Sequence, residues 1–369
     1  MKYILDEDTS YQRRGDTGII VEDGILIDVG MDVVDLVVPD GVTELADFCL
    51  SRHENLLRVQ LPNSLIKIGR NAFDNCCRLV TVEVPDSIQI IGSMAFANCT
   101  ALSTITIGQG LRELGATAFY NCTQLDSVYY TGDLVDWLRI NIPYHDFTFL
   151  FSSSKSPVKL YIKNKLVTDI SIPANINFST IFRDYKYLSS VTFDAGRQIV
   201  PEGAFCGCKN LTSLKLSNTI TTIRFHAFDN CGITSLVIPG SVQSIDPYAF
   251  YHCTKLKSIT FNTGLKKLGK HSFAYCSHLN NVVLPQGLET IDDSAFSWCR
   301  NLEHISIPSS VKTIAAYIFY NCIKLENNGV VEYTGTKQQF SQIKLDSDWS
   351  HGTHNLTIRC TDGDILVKE

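Results

Sequence analysis

Cysteine and histidine are the side chains through which this sequence could do chemistry, and both are plentiful: the 369 residues include thirteen Cys and nine His. A thiolate can ligate zinc or attack an electrophile, and an imidazole can bind a metal or move a proton near neutral pH. Each task needs convergence: a zinc site takes ligands closing tetrahedrally, normally from Cys-x-x-Cys pairs, and a nucleophile needs a base within hydrogen-bond reach. The cysteines do not come in that form. Cys76, Cys99 and Cys122 are spaced 23 residues apart, and Cys208, Cys231, Cys253, Cys276, Cys299 and Cys322 continue at nearly that interval, so the pattern is a column of single thiols. Such a column reads as buried structural cysteine. Cys206 next to Cys208, the vicinal pair Cys76-Cys77, and Cys360 lie partly or wholly off it and are the more reactive candidates. The histidines show no His-Glu-x-x-His, and the closest pair, His351 and His354, has no third ligand nearby. A Gly-x-Ser-x-Gly elbow, a phosphate loop and a dinucleotide fingerprint are all missing. The expectation is a chain with no catalytic residues, no metal and no cofactor.

The elements that hold these cysteines are repeats. Ala72-Phe73-Asp74-Asn75-Cys76 returns as Ala95-Phe96-Ala97-Asn98-Cys99 and as Ala118-Phe119-Tyr120-Asn121-Cys122. After an interruption, Phe205, Phe228, Phe250, Phe273, Phe296 and Phe319 carry on the series, and Phe48 and Phe182 extend it in coils that lack the cysteine. Between the anchors runs Leu-x-x-Val-x-Ile-Pro, as in Leu79–Pro85 and Leu302–Pro308. Its alternation predicts a strand with one face buried, and proline, lacking an N–H, suits the strand end. Val-x-x-Ile-Gly then supplies a second buried pair before the chain turns into Ala-Phe-x-x-Cys, read as one short helical turn. A single coil cannot bury its own Leu, Val, Ile and Phe, but coils stacked about 4.8 Å apart cover one another. The period is that of a short leucine-rich repeat. The fold expected is therefore a leucine-rich-repeat solenoid, mostly β with short helical turns: a right-handed stack of about eleven 23-residue coils with one internal insertion.

The phrase Ala-Phe-x-Asn-Cys followed by Leu-x-x-Val-x-Ile-Pro-x-Ser-Val-x-x-Ile, as in Ala95 to Ile107 and Ile305 to Ile314, closely resembles the BspA-like class of bacterial leucine-rich repeats, over nearly the whole chain. Members are mostly surface proteins of bacteria and some protozoa that are thought to bind host proteins or other cells. The resemblance thus implies an adhesive or protein-binding role, and it brings no catalytic residues with it.

Composition narrows the partners. A net charge of −6 offers no general attraction to nucleic acid, and no apolar stretch approaches the roughly 20 residues of a membrane helix. The N-terminus turns acidic at Asp6-Glu7-Asp8 before an apolar region forms, so no secretory leader is expected in it. The expected partner is a protein, with no nucleic acid, no membrane insertion and a monomeric chain.

The repeat breaks between Phe119 and Phe182. Val128-Tyr129-Tyr130-Thr131-Gly132 opens a module that recurs as Val331-Glu332-Tyr333-Thr334-Gly335, each a strand, a Thr-Gly turn and a short amphipathic helix, with Trp137 corresponding to Phe340. Hairpins are expected at Lys159–Lys165, at Leu356–Gly363 and, before the first coil, at Ile19–Ile27. The organisation expected is one solenoid over 1–369, divided into an N-terminal hairpin cap (1–30), a first array (31–130), an insertion (131–165), a second array (166–330) and a C-terminal cap (331–369). The outward strand positions are mostly small and polar, so the contact candidates there are Arg58 and Tyr129. The aromatic-rich insertion adds Tyr144, Phe147 and Phe149, the part without a C-terminal counterpart. The leading reading is a protein-binding module in adhesion or host-cell interaction. A cytoplasmic scaffold and an enzyme with its site in 131–165 are the alternatives.

Overall fold

The computed structural model describes residues 18–142, 157–178, 180–328, 330–353 and 356–367. It is a β-solenoid of about 14 turns, mostly strand with little helix. The surplus over eleven has a simple source: the Ala-Phe-x-x-Cys phrase marks only some of the turns, while others that lack it still add strands to the same sheets. The first compact unit ends at Thr131, and the second takes up Gly132–Ile142 and the chain from Pro157 on.

In the first unit the chain enters through an antiparallel hairpin, Ile19–Glu22 with Ile25–Val29. Its turn residues Asp23 and Gly24 both have positive φ, as a two-residue hairpin turn demands. Ile25–Val29 then starts a parallel stack of two-residue strands, Glu44–Leu45, Lys67–Ile68, Ile90–Ile91 and Glu113–Leu114. A second stack holds Thr81–Val84, Thr104–Ile107 and Ser127–Tyr130, each residue paired with the one a period away. Burial alternates along Thr81–Val84, with Val82 and Val84 inside, as the strand pattern requires.

The second unit repeats this plan. One sheet runs Ile199–Val200, Thr222–Ile223, Ser244–Ile245, Lys267–Leu268, Thr290–Ile291, Thr313–Ile314 and Lys344–Leu345. Another runs from Ser235–Ile238 through Ser258–Phe261, Asn281–Val283 and His304–Ile307 to Val330–Tyr333, Leu356–Cys360 and the antiparallel Gly363–Val367. Val330–Tyr333 and Lys344–Leu345 continue the two sheets in parallel, with the short helix Lys337–Phe340 between them. That helix starts with a reciprocal cap between Thr336 and Gln339, and it buries Phe340 against Tyr333 and Trp349. The helix Leu134–Arg139 carries buried Trp137 and Leu138 and is capped by Asp133. No helix among the described residues is long and apolar enough to cross a membrane.

The core is two ladders side by side. Phe73, Phe96 and Phe119 stack nearly parallel with centroids 5.0 and 5.4 Å apart, and Phe205, Phe228, Phe250, Phe273 and Phe296 stack at 5.2–5.7 Å. Beside them, the Cys99 thiol donates to the Phe73 carbonyl at 3.1 Å, Cys122 to Phe96, Cys231 to Phe205, Cys276 to Phe250 and Cys322 to Phe296. The column cysteine is thus a small apolar filler whose weak S–H ties each coil to the one before it. All thirteen cysteines are free. The Ala-Phe-x-x-Cys phrase is not the helical turn expected. It is a tight turn set between two residues of left-handed backbone, such as Asn71 (φ 53) and Asn75 (φ 61), and the N–H groups of Asn71, Phe73 and Asn75 donate to Ser93, Ala95 and Ala97 of the next coil. Coil-to-coil bonding takes the N–H groups that a helix would have kept for itself.

Two coils replace the cysteine. Phe48 lies outside the ladder, 40% exposed with φ 62, and Leu50 fills the ring's place, because Leu50 N donates to Ala72 as Phe73 N does to Ala95. His53 then stands where Cys76 stands one coil later; it is fully buried, with Nε2 2.9 Å from the Val29 carbonyl. In the coil of Phe182 the position belongs to Tyr185. Its buried hydroxyl accepts from Leu160 N at 3.3 Å and donates to the Val167 carbonyl at 2.7 Å. Tyr185→Phe is expected to destabilise the chain by about 1–3 kcal/mol in urea unfolding, because two buried backbone groups lose this partner. A cost below about 0.5 kcal/mol would show that those groups find replacements.

Candidate functional site

The left-handed positions decide which side chains the turns display. A non-glycine residue at φ near +60° is costly, by about 1–2 kcal/mol, and Asn, Asp and His are the types found there most often. The position before the column cysteine follows that rule in many coils, with Asn75, Asn98, Asn121, Asn230 and Asn321 at φ 55–61. There the amides form a ladder of their own: Asn98 donates to Asp74 at 2.9 Å and Asn121 to Asn98 at 3.0 Å. In three consecutive coils of the second unit Asn gives way to His252 (φ 57), Tyr275 (φ 63) and Trp298 (φ 62), of which Tyr275 and Trp298 break the rule. The other left-handed position, four residues earlier, carries His226, Tyr248, His271 and Tyr317 in the same region. The left-handed turn positions thus present rings over a run of coils, on a backbone that Tyr and Trp rarely adopt.

The rings meet. Tyr248 packs on His226, Tyr251 and His271 at 4.9–5.4 Å, Tyr251 on Tyr275 at 5.4 Å, and Tyr275 lies flat against Trp298 at 5.1 Å. Trp298 continues to Tyr320 at 6.1 Å, and Tyr320 stacks on His351 at 5.9 Å. All of these but His226 line an open cleft of about 410 Å³, together with Tyr317, Ser294 and Ser297. No lining residue is Lys or Arg. Burial pulls the His271 imidazole below its ordinary pKa, and its Nδ1 has no hydrogen-bond partner among the described residues. At one end Tyr317 donates to Asp348 at 3.2 Å; that bond, with the charges of Asp348, Asp346 and Asp293, raises the phenol's pKa.

A second concavity, of about 530 Å³, lies by the helix Lys337–Phe340 and is lined by Lys266, Glu289, Lys312, Gln339 and neighbours. Its charged side chains already meet one another, Glu289 lying 2.7 Å from Lys312 and 3.6 Å from Lys266. Among the described residues no group of three His, Cys, Asp or Glu side chains could hold a metal ion.

Of the contact residues proposed from sequence, Arg58 and Tyr129 lie among the described residues, on different strands. Arg58 is on the strand Arg58–Gln60, its side chain 81% exposed and 3.5 Å from Asp35; Tyr129 is half-buried on Ser127–Tyr130. Tyr144, Phe147 and Phe149 lie outside the described residues. The aromatic cleft was missed because its rings sit in turn phrases taken as packing. A signal was present: at the two variable places of Ala-Phe-x-x-Cys the first array reads Asp74-Asn75, Ala97-Asn98 and Tyr120-Asn121, whereas three successive coils of the second read Tyr251-His252, Ala274-Tyr275 and Ser297-Trp298.

The profile of the BspA type leucine rich repeat region matches the chain in 6 copies, over residues 30–137, 174–285 and 266–341. No curated protein matches the sequence. Among solved structures, a leucine rich cell surface protein of Faecalibacterium prausnitzii A2-165 is 23% identical with a TM-score of 0.50, covering 92% of this chain and 98% of its own. A leucine-rich repeat protein of Eubacterium ventriosum ATCC 27560 is 18% identical with a TM-score of 0.55, covering 92% of each chain. At these identities the likeness is one of fold.

Proposed function

This chain belongs to the family of BspA-type leucine-rich-repeat proteins, and from that premise we propose that it is a non-enzymatic adhesive module that binds a protein on another cell through the aromatic cleft of its second unit. The fold is a repeat scaffold suited to protein interaction. The observation that carries the choice of surface is the replacement of Asn by His252, Tyr275 and Trp298 at left-handed positions of three successive coils. Tyr and Trp bring large, rigid contact area at low entropic cost, and Ser brings adaptable hydrogen bonding. Tyr248, Tyr251, Tyr275, Trp298, Ser294 and Ser297 have the make-up of a recognition surface on rigid turns. A location at the cell surface is favoured by the family and by the description of the Faecalibacterium protein.

Purified protein added to intact epithelial cells should bind saturably by flow cytometry, and trypsin treatment of the cells should remove that binding. Trp298→Asn combined with Tyr320→Ala should weaken it roughly tenfold or more, the scale of a lost hot spot. Replacing Tyr144, Phe147 and Phe149 together by Ala is the competing arm. Loss in that arm alone would move the contact surface to the insertion, and binding that survives trypsin would overturn the protein-receptor reading.

A further inference from the structure

The cleft has an electrostatic character that narrows its occupant. Its lining is aromatic faces, hydroxyls and imidazole rings, with no Lys or Arg among the lining residues, and the Arg300 guanidinium reaches it from outside, over the Trp298 ring. Lys270, next to His271, is tied to Asp293 at 2.7 Å. At the Tyr317 end two carboxylates stand without a cation among the described residues. Asp348 accepts from Tyr317, and its backbone holds both neighbouring turns, its carbonyl taking Tyr317 N at 2.9 Å and His351 N at 3.1 Å. Asp346 caps the same segment by accepting from Asp348 N at 3.1 Å. An aromatic face attracts a cation through its quadrupole, and a guanidinium does this best because it is planar and weakly hydrated. The wall already shows one such contact: the Arg300 guanidinium rests 5.0 Å from the Trp298 ring centre.

We propose that the cleft receives an arginine-bearing, cationic segment of the partner protein, its guanidinium groups laid on the Trp298, Tyr317 and Tyr320 rings and directed toward Asp346 and Asp348. This rests on the protein-binding reading above and adds the chemistry of the partner. An acidic segment would be repelled by the two carboxylates, and a neutral one would leave them unpaired and forgo the attraction between a cation and the ring faces. Arg300 is exposed and gives way to the incoming side chain.

The probe is a synthetic oligo-arginine peptide, with oligo-citrulline as its uncharged isostere and oligo-glutamate as its opposite, titrated into the full chain by calorimetry and by tryptophan fluorescence. Trp137 and Trp349 are buried at 0% and 6% exposure, so a change in emission reports Trp298. Oligo-arginine should bind saturably and perturb the emission, and the other two peptides should not bind measurably. Asp348→Asn should weaken binding at least threefold and lessen its salt dependence, and Trp298→Asn at least tenfold. Trp298→Asn restores the residue that other coils carry there, so its melting temperature should hold; Tyr320→Ala, at an exposed ring, is the second variant and should also weaken binding. Absence of oligo-arginine binding would overturn the proposal, as would binding unchanged in both Trp298→Asn and Asp348→Asn, which would mean attraction to the net negative chain alone. If oligo-arginine fails while cell binding still depends on Trp298 and Tyr320, the cationic occupant is wrong and the adhesive reading stands. If both fail, both are wrong.

Discussion

Phe273→Ala is expected to lower the stability of the chain by about 3–5 kcal/mol in denaturant unfolding, the cost of emptying an aromatic site in a close-packed core. The ring is fully buried, flat between Phe250 at 5.2 Å and Phe296 at 5.7 Å, with the edge of Phe261 at 5.9 Å. Burial alone contributes about 1.5–3 kcal/mol for such a side chain, and each aromatic neighbour adds about 0.5–1.5 kcal/mol. The solenoid gives the site little room to collapse, because coil spacing is set by strand pairing on both sides, Ser244–Ile245 with Lys267–Leu268 and these with Thr290–Ile291. Phe48→Ala is the matched control. Its ring is 40% exposed, so it should cost under about 1 kcal/mol, and equal losses at the two sites would show that Phe273 has no special place in the ladder.

The cysteine column should make the protein unfold in mild alkali. Burial first, and neighbouring thiols second, raise Cys99, Cys231, Cys276 and Cys322 well above their ordinary pKa of 9.0. Burial pushes Cys122, Cys253 and Cys299 up to about 12, and Cys208 is raised for the same reason. Neutral thiol is the form the folded chain holds, since each S–H donates to a carbonyl. Below pH 9 folded and unfolded chains carry the same thiol protons, and this contribution is fully present. Above pH 9 the unfolded chain sheds protons that the folded one keeps, so stability falls as pH rises toward 12. At pH 10 each such thiol costs about 1.4 kcal/mol. Eight together approach the whole stability of a typical domain, about 5–15 kcal/mol. Circular dichroism should therefore show cooperative loss of structure between about pH 9.5 and 10.5, with thiolate absorbance appearing in the same step. At pH 8 a thiol reagent should label half-buried Cys77 and few others until denaturant is added. Thiolate forming near pH 9 in a chain that keeps its circular dichroism would refute this account.

The sequence by itself determined the repeat, its period and the identity of the buried ladder. Phe73, Phe96, Phe250 and Phe273, with Cys76, Cys99, Cys253 and Cys276, recur at fixed spacing because each must meet its own kind one coil away, and periodicity along the chain is the direct image of that stacking. The family was legible for the same reason. The degenerate coils were not: Phe48 was the only phenylalanine near the expected phase, and only the bonding of Leu50 N to Ala72 shows that Leu50 and His53 take the ladder places. The true turn count was hidden too, since turns without the Phe-Cys phrase leave no repeated word to count. The candidate site was decided by tertiary structure alone. Tyr251 and Tyr320 follow the ladder phenylalanine directly, Tyr275 and Trp298 stand one place later, and Tyr248, His271 and Tyr317 stand two places before it. Two left-handed residues per coil bring the phases to one face, and backbone conformation of that kind is set by bonding between coils, which a linear reading of residues does not contain.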